Sequence, residues 1–478
     1  MTLLRVAKLP TSLLSQLPPL FEPLCQVMPL GMLTRLLMEW LLDARTLEEV
    51  TLDAAPEQYT RELTMTAVVR LMIQVSAGNR ASVFAAWVAD ATSAAPQVAV
   101  SYQALYGKLG RMNPAVGEAL VRHSARRLGE VMGAGLAKLP EPLAGYRTVV
   151  VDGNVLTGTD RRLAPLRGVA SACLPGKSLV AYEVATGLVG DLVLCEDAYT
   201  QERALVEGLV ARLGAGDLGV LDRNFCTTKV VFGFAGRGAK LIVRQHRSSL
   251  RWQPAGPWRG CGTTDAGRLR ERPVLVSDPK TGGRVLLRQV ELKLFEKTRD
   301  GERAITLSTN LPAEVGAAVV AELYRARWTV EKHFQFLTDE LHCEQPGLGK
   351  PRAALFAFAM ALVAGNALAV VRSALRTAHG AEAEAGVSGH YLADEVASDY
   401  RSLAKLILPA QWVAFYGMQP SDAAPLLTTI AGHVNMDALE KRPRGPKKPA
   451  ATKKNRSTKH KHRSTARLLN EAKIKQPC

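Results

Sequence analysis

Apolar positions divide the chain into distinct textures. Over residues 1–140 they recur at steps of three and four, most clearly in 33–42, 63–73 and 116–131. That period predicts amphipathic helices. From Tyr146 onward, short β-rich runs take over. Residues 146–151 form one such run, ending at Asp152. Residues 179–184 and 188–195 read as a strand pair joined near Thr186-Gly187, and 218–221 as a strand ending at Asp222. A further strand is predicted at 240–244, and a helical stretch at 201–213 lies among them. This mixture predicts an α/β domain over 141–380. Within it, residues 245–310 carry Arg, Gly, Pro and Trp, then strand-like runs at 274–276, 285–294 and 304–307. They predict an inserted β subdomain. Helices resume at Pro312, and 381–440 reads as a helical C-terminal region. Residues 441–478 have few apolar positions and are expected to be a disordered tail.

At 478 residues the chain is long enough for two or three domains. Its net charge of +17 calls for a polyanionic partner, nucleic acid before membrane. Residues 441–467 hold twelve Lys or Arg and no acid, so the tail supplies most of that surplus. Any DNA surface on the folded body must therefore be a local patch. The apolar stretch at 353–371 is long enough to prompt the question of a membrane span. Gly365 and Asn366 interrupt it, no second span accompanies it, and a buried core helix is expected instead. Seven scattered cysteines without a C-x-x-C pair fit reduced thiols in a cytosol, not a disulfide frame or a zinc site.

Residues 101–127 contain two helical pieces separated at Asn113-Pro114, and proline suits the first turn of the second. With Lys108, Arg111, Arg122, Arg126 and Arg127 the segment is compatible with a helix-turn-helix docking on DNA. It is equally compatible with a helical pair bearing a solvated basic face.

Two strands lead into acids, Asp152 and Asp222, a common way for an α/β sheet to present catalytic carboxylates. A third acid comes from the helical run 324–341. Its apolar residues Leu323, Ala326, Val330, Phe334, Leu337 and Leu341 form one stripe. Tyr324, Arg327 and Glu331 follow the same spacing one position later. At ~100° per residue they fall within roughly 60° of one another on a continuous helix. Without the aspartates, an ordinary Arg327–Glu331 ion pair would explain the last two.

The string Tyr324-x-x-Arg327-x-x-x-Glu331 resembles the signature helix of transposases of the insertion-sequence-four family. Trp328 and Val330 also match, as do Asp152-Gly153, the segment from Leu174 to Ser178, the string from Asp222 to Phe225 and that from Leu307 to Leu311. Their order along the chain is the family's order. The family's closing Lys would fall at Thr338, which cannot offer a charge. Gly176-Lys177-Ser178 also looks like the end of a nucleotide-binding loop, but Ser171 stands where that loop needs glycine.

The resemblance implies a ribonuclease H-like mixed sheet with a β insertion, preceded by a helical DNA-binding domain at 1–140. Seventy residues separate Asp152 from Asp222 and 109 separate Asp222 from Glu331, leaving room for the insertion in the second interval. It further implies a DDE transposase that hydrolyses strands at its element's ends and joins them to target DNA. Asp152, Asp222 and Glu331 would be catalytic and would hold two divalent ions, Mg2+ or alternatively Mn2+. Asp152 would be shared between them. Tyr324, Arg327, Lys177 and Arg223 would contact DNA, and Trp252 or Trp258 would stack on a flipped base. Core packing is the plainer role for either Trp. The implied partners are double-stranded DNA, namely the inverted-repeat ends and the target, bound by a homodimer in the bacterial cytosol with no membrane. The alternatives are a magnesium-dependent ribonuclease H-like nuclease and a non-catalytic, transposase-derived DNA-binding protein.

Overall fold

A computed structural model describes residues 18–58, 62–93, 96–156, 163–169, 172–246, 250–298, 301–345, 347–443 and 462–474. The chain divides into two compact units. One comprises Met1–Lys138, Thr157–Cys173 and Phe336–Arg463; the other comprises Leu139–Leu156, Leu174–Gln335 and Ser464–Cys478.

Among the described residues, the first unit opens with seven helices. They are α1 (Phe21–Val27), α2 (Pro29–Leu41), α3 (Ala44–Ala54), α4 (Met65–Ser76), α5 (Val83–Ala91), α6 (Tyr102–Leu109) and α7 (Pro114–Gly133). Local sequence starts several of them. The side chains of Asp43, Thr64, Ser82 and Ser101 each accept a backbone N–H from the first turn of the helix that follows. Asn113 caps α7 through Ala115 N, and Pro114 takes its first position, as the sequence predicts. The basic residues of 101–127 are largely held within the unit. Lys108 is buried and donates to Leu63 O at 2.5 Å. Arg126 and Arg127 each lie 3.3 Å from Glu130, and Arg127 also stacks on Trp40.

The second unit is built on one ten-stranded mixed sheet. Its strands are β1 (Arg147–Leu156), β2 (Gly176–Glu183), β3 (Val189–Cys195), β4 (Asp217–Leu221), β5 (Lys240–Arg244), β6 (Trp252–Pro254), β7 (Arg259–Thr264), β8 (Gly267–Ser277), β9 (Arg284–Leu294) and β10 (Ala304–Thr309). Their order is β3-β2-β1-β4-β5-β10-β9-β8-β6, with β7 also on β8. β1, β4 and β5 are parallel; β2 runs antiparallel to β1, and β3 to β2. Gly187, in a left-handed conformation, sits in the β2–β3 turn that the sequence predicts.

Two expectations change on this sheet. β1 runs on past Asp152 to Leu156; only its pairing with β4 stops at Val151. The strands at 252–309 do not form a separate module. β10 pairs antiparallel with β5, so they extend the core sheet laterally. Strand alternation then assigns the faces. Val149, Val151, Leu221, Leu241 and Val243 join one apolar cluster with α8 (Glu202–Val210) and α9 (Thr228–Gly236). Across the opposite face lies α10 (Ala317–Arg325), packed on β4, β5, β8 and β9 and burying Val320, Leu323 and Tyr324.

α11 (Trp328–Asp339) follows, so the predicted run 324–341 is not one helix. Ala326 N and Arg327 N bond back three residues, to Leu323 O and Tyr324 O, which tightens the joint. The first unit is completed by α12 (Pro351–His379), α13 (Ala381–Ala385), α14 (Gly389–Leu406) and α15 (Pro420–Ala431). Its limits therefore differ from a cut at 140 and 380. Phe336–Arg463 belongs with the N-terminal helices, because α12 packs on α2, α4 and α7. α12 is long and apolar enough to cross a membrane, yet 94% of its apolar window is buried inside the protein. The tail assigned to 441–478 falls largely outside the described residues. Within it, Thr465–Ile474 forms α16, contrary to the expected disorder.

Candidate active site

Register puts the two aspartates side by side. Val151 pairs with Leu221 across parallel β1 and β4, so Asp152 and Asp222 stand level one residue further on. Leu221 pairs in turn with Val243 of β5, which sets Arg244 level with Asp222. Alternation points all three to the face that carries α10, away from the α8–α9 cluster.

Tyr324 lies in the last turn of α10 on this face, Arg327 lies in the joint, and Glu331 occupies the first turn of α11. The joint preserves their convergence. Arg327 Nη1 lies 3.2 Å from Asp152 Oδ2 and 2.6 Å from Glu331 Oε1. A single guanidinium thus ties a strand acid to a helix acid. Tyr324 Oη and Arg327 Nε are both buried, and the two side chains lie beside each other, with no other hydrogen-bond partner for these atoms among the described residues.

Electrostatics show how close the acids are. Burial pushes the Asp152 carboxyl up to about 6. Asp222 and Glu331 add to that rise, while the Gly153 N–H and Arg327 oppose it. The Tyr324 hydroxyl is pushed up to about 12 by burial and then by Asp222. Each group therefore feels the others, as in sites that gather like charges for chemistry. His333, buried on α11 against the Tyr182 ring, is pushed down to about 4 by burial and is neutral at pH 7.

The donor set suits a hard dication. Three carboxylates supply only oxygen, the preference of Mg2+ and Mn2+. Ligands already gathered around one point are a different matter. Among the described residues, no group of three or more His, Cys, Asp or Glu is assembled to hold a metal ion. Arg327 supplies the positive charge between Asp152 and Glu331.

The remaining sequence candidates separate. Arg223 follows Asp222 directly and pairs with Glu302 at 3.2 Å. Trp252 and Trp258 line one cavity of about 1010 Å³ together with Arg223, Arg244 and Arg272. The Arg272 guanidinium lies 4.7 Å from the Trp252 ring and 4.3 Å from the Trp258 ring. Lys177 does not join them. It pairs with Val155 on β1, so alternation turns it to the α8–α9 face, and it is buried. Thr338 lies beyond this unit, 3.7 Å from the Cys343 sulfur.

Three residues near the acids escape sequence reasoning. Arg244 reads only as a strand end, and its level with Asp222 depends on a parallel register that no local pattern reveals. Glu302 sits in the β9–β10 connection and reaches both Arg223 and Arg244. Glu202 opens α8, bonds Asn224 at 2.8 Å and crowds Gly153 so closely that a Cβ there would meet its carboxyl. The one signal for Glu202 is an acid in the first turn of a predicted helix.

The sheet order, with β2 antiparallel and β1, β4 and β5 parallel, is consistent with a ribonuclease H-like transposase core. Comparison with curated proteins finds no match. Residues 144–366 match the family model described as the transposase DDE domain, and with the acids so arranged this supports a DDE transposase.

Proposed function

We propose that the protein cuts DNA at the ends of a mobile element of the insertion-sequence-four type and joins those ends to target DNA. The observation that carries this reading is the level register of the strands that lead into Asp152 and Asp222, together with the Arg327 guanidinium that pairs with both Asp152 and Glu331. Asp152, Asp222 and Glu331 are the catalytic acids and would hold two divalent ions, Mg2+ or Mn2+. Ions bound there would activate the attacking water or 3′-hydroxyl and balance charge on the leaving oxygen.

The chain's own groups do the positioning. Arg327 can offer a phosphate two parallel N–H donors, a geometry that lysine lacks. The buried Tyr324 hydroxyl, beside Arg327, can donate to a phosphate oxygen. Arg223 and the cleft containing Trp252 and Trp258 extend the contact along the strand, with either indole able to stack on a displaced base. Partners are the inverted-repeat ends and target DNA, bound by a homodimer in the bacterial cytosol. The helices of residues 1–140, α6 and α7 among them, would contribute DNA binding.

The test is strand cleavage of labelled end DNA with Mg2+. Asp152→Ala, Asp222→Ala and Glu331→Gln should each abolish cleavage and keep DNA binding. Cleavage retained in any one of them removes that residue from the site. A pre-cut end incubated with plasmid should give joined product; cleavage without joining would leave a nuclease.

A further inference from the structure

Two arginines beside the acids are held by one carboxylate. Arg223 follows Asp222 in the chain, and Arg244 stands level with Asp222 on the next strand. Glu302 reaches both, pairing with Arg223 at 3.2 Å and with Arg244 in a close ion pair. All three line the 1010 Å³ cavity, whose walls carry five Lys or Arg and two Glu. The second acid, Glu291, is engaged by Arg270 at 2.7 Å. Glu302 is therefore the acid in this cavity that pairs with both Arg223 and Arg244.

A carboxylate between two guanidiniums has the charge and the oxygen geometry of a phosphodiester. Arg223 is half exposed and Arg244 one-fifth exposed, so solvent and a ligand can reach the pair. The Arg223 arm is exposed enough to be weak and exchangeable, while the Arg244 arm is part-buried. The Glu302 backbone N–H bonds the Thr298 hydroxyl at 3.1 Å within the β9–β10 connection, so its side chain can turn away without disturbing a strand.

We propose that Glu302 is a built-in competitor for a DNA phosphate. Its carboxylate occupies the Arg223–Arg244 pair in the free protein, and a backbone phosphate takes its place when DNA enters the cleft. This rests on the transposase reading for the identity of the polyanion. The consequence is a selective brake: DNA held by other contacts displaces Glu302, whereas duplex that merely drifts in meets a satisfied pair. Phosphate contacts carry no base information, so the effect is the same for every sequence.

The experiment measures binding of a mixed-sequence duplex of about 30 bp by fluorescence anisotropy, at KCl from about 50 to 200 mM. The full chain, Glu302→Gln, Arg223→Ala/Arg244→Ala and the triple variant are compared, with melting temperatures recorded for each. Glu302→Gln should tighten Kd several-fold, and the gain should vanish when both arginines are absent. Glu302→Ala should behave in the same way, which guards against an effect of the amide. A gain that persists without the arginines reflects net charge alone and overturns the proposal. Equal or weaker binding by a folded Glu302→Gln also overturns it, while wild-type cleavage of end DNA leaves the transposase reading intact. A wild-type chain that binds no duplex at low salt overturns both.

Discussion

Arg327 Nη1 lies 3.2 Å from Asp152 Oδ2, and the same nitrogen lies 2.6 Å from Glu331 Oε1. The guanidinium is only 12% exposed, so its pairing with the two acids is poorly screened. Lysine would keep the charge but not the planar donor set that can serve a phosphate as well. Arg327→Lys should therefore lower cleavage by about 100-fold, the range seen when one positioned donor at a reacting centre is removed. The melting temperature should barely change. The check is single-turnover cleavage beside a thermal melt. Full activity in the lysine variant would mean that only charge matters at this position.

Gly219 lies three residues before Asp222 on β4, beneath the ring of Phe234. A Cβ at Gly219 would sit 2.4 Å from Phe234 Cε1, and that ring is fully buried. Gly219→Ala must displace either the ring or the strand, at about 1–3 kcal/mol. A displaced strand also shifts Asp222, so cleavage should fall along with stability. Phe234→Leu makes room. The double variant should be more stable than the two single effects predict, by about 1 kcal/mol of coupling in a denaturant cycle. Simple additivity would show that the ring yields without moving β4.

Much of this site is legible in the sequence because its parts are local. The β-rich run before Asp152, the one before Asp222 and the spacing of Tyr324, Arg327 and Glu331 all lie within short windows. What is not legible depends on pairing between distant segments. Arg244 gains its place from the β4–β5 register, and Glu302 from the return of β10 onto β5. Lys177 departs from expectation for the same reason. Its motif says nothing about which face of β2 it takes, and the pairing with Val155 turns it inward. The helix at 324–341 has the right stripe, yet its backbone tightens at Ala326-Arg327, a change of hydrogen-bond step that side-chain periodicity does not report. In the helical unit, 336–380 falls on the other side of the expected boundary because α12 finds its partners in helices more than 200 residues earlier.

Asp399 of α14 accepts the Gly31 N–H of α2 at 3.0 Å. Burial pushes its carboxyl up to about 6, with the Gly31 bond opposing and Glu395 adding. The folded value lies above the ordinary 3.8, so folding favours the protonated acid. Its contribution is fully present below about pH 4 and is lost as pH rises through about 6. Asparagine keeps an acceptor for Gly31 and cannot ionise. Asp399→Asn should therefore gain on wild type between pH 4 and 7, by on the order of 1–3 kcal/mol. Hydrogen exchange of the α2 amides at both pH values measures the difference. A gap that stays constant with pH would show that Asp399 is not the group responsible.

Arg467 on α16 places Nε and Nη2 at 2.9 and 2.7 Å from Asp197 Oδ2, and its guanidinium lies 4.8 Å from the Tyr199 ring. α16 is thus held to the sheet unit, while the basic run before it carries most of the charge. These two roles separate by mutation. The ion pair is over half exposed on the arginine side, so Arg467→Ala should leave the melting temperature close to wild type. It should leave the salt dependence of DNA binding close to wild type. Deleting 441–478 removes the basic run. For every phosphate that the run neutralises, its removal should flatten the slope of log K against log salt by about 0.9. Anisotropy titrations at several KCl concentrations measure both variants. An unchanged slope in the truncated chain would mean that the run does not touch DNA. A flattened slope in Arg467→Ala alone would mean that docking of α16 positions the run on the duplex.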